Sequence, residues 1–425
     1  MGLNNHYMIS PKFKKLPIWD KVFLITIAAG YISGGVSFGS VYLLHIMLAI
    51  SLFVLLIRPA KYKIGYWDYK IAIYLLWVLY NFFTLLWSWE LNYSINTFII
   101  ISIGSFVLYL TMVMSSDCNH IVPLFNLLAF VFLIEIAIAC IEIITTFRWP
   151  FEVGYNNRFA ATFIPTGFRG NPNNLTTVLL MAAPFVLSLK YKWKYLIILL
   201  ILIIVFFAQS RGNLIVLSGY LFYYFLVNQN TVKKIKIVIT SVISSLIIFV
   251  VSPDFGSLIA KRITASFIIF KNYVFGSVGA DNSISNRLLL TEESIKLFQQ
   301  NPLGIGIGAS KKVFEENGFS ILSIHNFFIE MLVESGMISL FLFVLMLAII
   351  INSLLSKERM YHRKFNRSMN VLMVETLVIT IPAIVSISTG YYFIPLYIVL
   401  GLGIGLTNIK NWSQPITYSY KEHKN

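Results

Sequence analysis

The sequence predicts an all-α protein threaded about twelve times through a membrane. Three observations predict it: composition, the length of the apolar windows, and where the cations fall. Hydrophobic residues make up 57% of the 425 and charged residues 12%, about half the charged share of a soluble domain. Mean hydropathy is +0.77. The net charge of +15 would suit a nucleic-acid partner in a soluble protein, but here the placement of Lys and Arg around apolar segments accounts for it, so no nucleic acid is expected.

A membrane span needs about 17 to 25 apolar residues. Twelve windows meet that need: 21–38, 40–57, 70–88, 95–114, 121–146, 174–189, 194–209, 213–229, 235–252, 326–355, 369–388 and 391–409. Lys12, Lys14 and Lys15 ahead of the first resemble the start of a signal peptide. The uncharged stretch that follows runs from Val22 to Ile57, long enough to be read as two retained spans. Boundaries then fall between nine spans in 1–252, a large loop at 253–324, three spans in 325–409 and a tail at 410–425. No repeat of 20 to 50 residues relates the halves.

Alternating the spans with the N-terminus inside puts two thirds of the 33 Lys and Arg on the cytoplasmic side. The short outer connectors near 39, 88–94 and 389 carry none. That asymmetry predicts both termini in the cytoplasm and the loops 147–173 and 253–324 outside it. Outer segments this long are where function concentrates. Within the larger one, 285–298 (SNRLLLTEESIKLF) has a helical pattern that ends at Asn301-Pro302.

Chemistry-bearing residues are few. Cys118 and Cys140 cannot build a disulfide framework, and no metal-ligand spacing or cofactor fingerprint occurs, so neither metal nor cofactor is expected. Gly304, Gly306 and Gly308 are spaced GxGxG rather than GxGxxG and lack a βαβ setting. They suit a backbone that approaches a phosphate or packs against a helix. Arg211, in the outer turn QSRGN, runs against the positive-inside bias. It is either a snorkelling interfacial side chain or an anion clamp. Arg287 and Arg169 could join it, because guanidinium meets phosphate with two donors and keeps its charge. His325 opens a span after the large loop, as a capping residue or as a proton acceptor at neutral pH. Glu334 is four residues from Glu330 and can share a network with it. Glu135 and Glu142, seven apart in span five, are intramembrane carboxylates with either a functional role or an interhelical one.

Taken in order, Ser210-Arg211-Gly212, Asn286-Arg287, Asn301-Pro302-Leu303-Gly304-Ile305-Gly306, His325-Asn326 and Glu334-Ser335-Gly336 resemble the O-antigen ligase/polymerase family of membrane glycosyltransferases. The resemblance covers roughly residues 200 to 345; the earlier spans share only hydropathy. It implies a GT-C-like helical enzyme of the bacterial cytoplasmic membrane, acting at its outer face on a polyprenyl (undecaprenyl) diphosphate-linked glycan. It further implies that Arg211 and Arg287 contact the diphosphate and that His325 serves the acceptor. Arg169, Arg158, Gly304, Gly306 and Glu334 are expected around the substrate, and a flippase and a chain-length regulator are expected partners. A repeat-unit polymerase for capsule, exopolysaccharide or O-antigen leads this reading, with a ligase to a terminal acceptor second. A lipid-linked oligosaccharide flippase or other transporter is the competing class, although transporters tend to show repeats and midplane charges rather than one lopsided loop.

Overall fold

The computed structural model describes residues 16–38, 41–58, 68–145, 147–149, 163–228, 282–319, 323–357, 367–387 and 390–409. They form thirteen helices: α1 (Ile18–Ile32), α2 (Leu43–Ile57), α3 (Tyr69–Phe83), α4 (Leu91–Ser115), α5 (Cys118–Ile144), α6 (Pro172–Ser188), α7 (Trp193–Phe207), α8 (Arg211–Asn228), α9 (Asn282–Gln300), α10 (Ser310–Glu316), α11 (Phe327–Ser356), α12 (Met369–Ala383) and α13 (Ile394–Asn408). A two-residue antiparallel ladder, Ser37–Phe38 with Val41–Tyr42, turns the chain from α1 to α2.

Each predicted span apart from 235–252, which lies outside the described residues, overlaps one of these helices. The predicted 21–38 ends as a helix at Ile32 and continues into a 3-10 turn and the short strand, and the helix of 369–388 ends at Ala383. Among the described residues five helices, α4, α5, α11 and the 3-10-extended α3 and α12, are long and apolar enough to cross a membrane; α2, α7 and α13 are shorter apolar helices. The loop pattern expected over 285–298 is the longer helix α9, and α10 was not foreseen. Lys296 on α9 is exposed and paired with Glu292 and Glu293 at 3.0 and 2.8 Å. Hydrogen bonding to Glu293, then to Glu292, raises its ammonium above the ordinary value.

The core is built around α13, buried along its whole length from Ile394 to Thr407. Small residues let it lie directly on α4. A Cβ at Gly401 would stand 2.6 Å from the Leu108 carbonyl oxygen, and one at Gly405 would run into Ser115. Close backbone approach of this kind is how apolar helices associate where lipid supplies no hydrophobic contrast. Beside α13, Trp77 of α3, Phe327 and Phe343 of α11 and Tyr391 form a buried aromatic cluster, with ring centroids 5.3 to 6.3 Å apart.

Helix α11 is not continuous. Gly336 has φ 74, a left-handed conformation that breaks the backbone ladder. The broken ladder is completed by the segment after Asn301-Pro302. Ile305 N–H donates to the Val333 carbonyl (3.0 Å), Gly306 N–H to the Glu334 carbonyl (2.8 Å), and Met337 N–H to the Pro302 carbonyl (3.2 Å). Irregular backbone at membrane depth survives only when protein satisfies its polar groups, and here two irregular pieces satisfy each other.

Candidate functional site

One end of the bundle gathers the turn before α6, the turn before α8, the segment 301–310, and the start of α11. Two of its loops are held by carboxylates on apolar helices. Glu142 on α5 accepts from the backbone N–H of Thr166 (2.7 Å) and Gly167 (2.8 Å). Glu135, two turns deeper, accepts from Arg169 Nε at 2.9 Å and Nη2 at 3.4 Å. On α11, Glu334 accepts from Gly308 N–H (2.7 Å) and the Ser310 hydroxyl (2.5 Å). Glu330 accepts from Gly390 N–H at 2.9 Å. Glu135, Glu142 and Glu334 are fully buried, and Glu330 nearly so.

These anchors explain local geometry the sequence left open. The glycines of 304–308 are pressed against protein: a Cβ at Gly304 would meet the backbone of Glu334 and Gly336, one at Gly306 would meet Ser88, and one at Gly308 would meet Thr97. All three have positive φ. Of the two expectations for this segment, packing against a helix is the one the geometry displays. Glu334, expected near substrate, has both carboxylate oxygens committed to this segment. Glu135 and Glu142 act between a helix and a loop, a partner type that hydropathy does not reveal.

Helix α6 begins with Asn171, whose side chain accepts from Asn173 N–H (2.9 Å) and Asn174 N–H (3.4 Å), followed by Pro172 in the first turn. Arg169 stands two residues ahead of that cap, its guanidinium 5.0 Å from the centroid of the Tyr31 ring. Helix α8 begins at Arg211, which is exposed. Asn213 ties the two starts together by donating to the Asn173 carbonyl (3.2 Å), Thr176 (2.6 Å) and Thr177 (3.0 Å). Asn213 Oδ1 in turn accepts from Ser386, after α12 (3.0 Å). A few residues on, Gly390 reaches Glu330, one turn into α11. Asn326 caps α11 through Phe328 N–H (3.1 Å) and Ile329 N–H (3.3 Å), leaving His325 just outside the helix. A chain of contacts therefore links Arg169, the Arg211 turn and the His325 turn.

Backbone strain marks the same turns. Among the described residues the positive-φ positions other than glycine are Ser33, Gln209 (φ 58) and His325 (φ 51). Left-handed backbone is costly for a side-chain-bearing residue and persists where the surroundings impose it. Gln209 lies two residues before Arg211, and His325 is itself the proton-acceptor candidate. Of Arg287 the structure describes the backbone, within α9, and Arg158 lies outside the described residues. Among the described residues no three His, Cys, Asp or Glu side chains group as a metal site.

Apolar helices long enough to span a membrane, loop segments held by buried carboxylates, and turns at Gln209 and His325 with left-handed backbone describe a helical membrane protein whose candidate polar residues gather at one end of its bundle. Residues 196–344, about a third of the chain, match the sequence model of the family described as O-antigen ligase, and over that stretch the chain is similar to O-antigen ligases and polymerases. Members of that family are ligases and polymerases, glycosyl-transfer enzymes that act on lipid-linked glycans. No curated protein matches the chain. The matched stretch contains Arg211, Arg287, the glycine segment, His325 and Glu334, and begins after Arg158 and Arg169.

Proposed function

We propose that the protein polymerises polyprenyl diphosphate-linked oligosaccharide repeat units at the outer face of the bacterial cytoplasmic membrane, as a metal-independent glycosyltransferase of about twelve spans and GT-C-like build. The observation that carries this reading is that the strained turns before Arg211 and at His325 both fall within the family-matched stretch and lie at one end of the bundle, linked through Asn213, Ser386, Gly390 and Glu330.

Nucleotide sugars are not offered outside the cytoplasm, so the donor has to carry its own leaving group. In the proposed step a hydroxyl of the acceptor repeat attacks the anomeric carbon of the donor glycan. The new glycosidic bond forms as the bond to the lipid diphosphate breaks. His325 takes the hydroxyl proton, and the electron pair leaves on the diphosphate. Single displacement inverts the anomeric centre. Arg211 and Arg287, joined in this proposal by Arg169 and Arg158, receive the charge that develops on the leaving oxygen. Preplaced donors of this kind in a partly dry site contribute several kcal/mol each to transition-state stabilisation. The glycine segment and Glu334 hold α11, and so His325, in register rather than touching the sugar.

The test is what accumulates in cells carrying His325→Ala. Single repeat units on the lipid carrier at the outer face support polymerisation. The same units trapped inside indicate a flippase, and finished long chains on the carrier indicate a ligase. Unchanged glycan chain length removes His325 from the reaction.

A further inference from the structure

The pair Glu135–Arg169 does more than hold a loop. Glu135 sits nine residues before the end of α5 at Ile144, roughly 13 Å below it at ~1.5 Å per residue, so Arg169 is drawn well into the bundle. Their side chains are 0% and 3% exposed. Glu135 engages one edge of the guanidinium, through Nε and Nη2. The Tyr31 ring at 5.0 Å supports its plane, and Glu142 fixes the backbone at Thr166 and Gly167. Arg169 is thereby braced along one edge and on one face. Its third nitrogen, Nη1, is buried and has no hydrogen-bond partner. A buried guanidinium edge without an acceptor is costly, and the acceptor it fits is an anionic oxygen.

Resting on the polymerase reading above, we propose that Glu135 is a positioning residue for the donor: it orients Arg169 so that Nη1 presents an N–H group to a phosphate oxygen of the lipid diphosphate. Because Glu135 already balances the guanidinium charge, the subsite takes up phosphate by directed hydrogen bonds more than by net charge. Asn171 and Asn173 carry that subsite to the Arg211 turn through Asn213.

Inorganic pyrophosphate is the probe, applied to the purified full-length protein. In the wild type it should raise the thermal unfolding temperature and compete with the lipid-linked repeat. Glu135→Gln keeps one acceptor oxygen and loses the charged fork, so the pyrophosphate constant and KM should rise at least about tenfold while kcat changes less, the loss of one charge-assisted hydrogen bond. Glu135→Asp should restore part of that loss, and Glu135→Gln should add nothing in an Arg169→Lys background. A wild type that shows no pyrophosphate effect overturns the proposal. So does a Glu135→Gln or Glu135→Asp protein that unfolds earlier yet binds pyrophosphate as the wild type does, since that is the signature of a purely structural pair. The thermal readout needs no turnover, so a failure of the polymerase reading would be seen separately, as absent glycan product.

Discussion

A carboxylate on an apolar helix must find donors, and Glu135, Glu142, Glu330 and Glu334 find theirs in loop N–H groups or in Arg169. In the proposed reaction Arg211 and Arg287 have the opposite task, to supply donors to the arriving diphosphate. Arg211→Lys and Arg287→Lys each preserve one positive charge and discard the planar fork. Transfer rates should fall at both positions, approaching the ~10²-fold cost of deleting one transition-state donor, with unchanged thermal unfolding for the exposed Arg211. Full activity in both would reduce their role to diffuse attraction. The sequence singled out these arginines, His325 and the glutamates by residue type and placement alone. It could not pair Glu135 with Arg169, because 34 positions separate them and a hydropathy window sees only its own helix. Nor does any local pattern announce the positive φ of Gln209 or His325.

At the scale of elements, the break in α11 and the glycine segment are one device. Gly336 opens the ladder and 302–306 closes it. Gly306, at φ 102 with Ser88 against it, should be intolerant: Gly306→Ala is expected to cost about 1–3 kcal/mol for the conformation, and more for the collision. Removing the Ser88 side chain as well should not rescue it, since a Cβ would also stand 2.6 Å from the Ser88 Cα. Gly318→Ala is the control, strained at φ 79 with nothing within 4 Å, and should fall less in thermal unfolding of the purified protein. Equal losses would mean that crowding contributes nothing. Periodicity and hydropathy made the helices legible, because each follows from residues next to one another. The spacing GxGxG could be read as not a nucleotide fingerprint, but its purpose depends on Gly336, some thirty positions away, and so was out of reach.

For the whole molecule, the central claim is that the end bearing Arg211 and His325 faces away from the cytoplasm and joins lipid-linked repeats there. The cation asymmetry supports the orientation, and the match over 196–344 supports the chemistry. Both meet in one measurement on purified protein in proteoliposomes, in a background lacking Cys118 and Cys140. The exposed Asn317→Cys, between α10 and α11, reports which end is outward through an impermeant thiol reagent. Vesicles with that end outward, supplied with single repeat units on polyprenyl diphosphate, should build a ladder of longer glycans and release one lipid diphosphate per bond formed. Single units left intact in those vesicles, or a ladder that forms only where Asn317→Cys is shielded inside, would contradict the account.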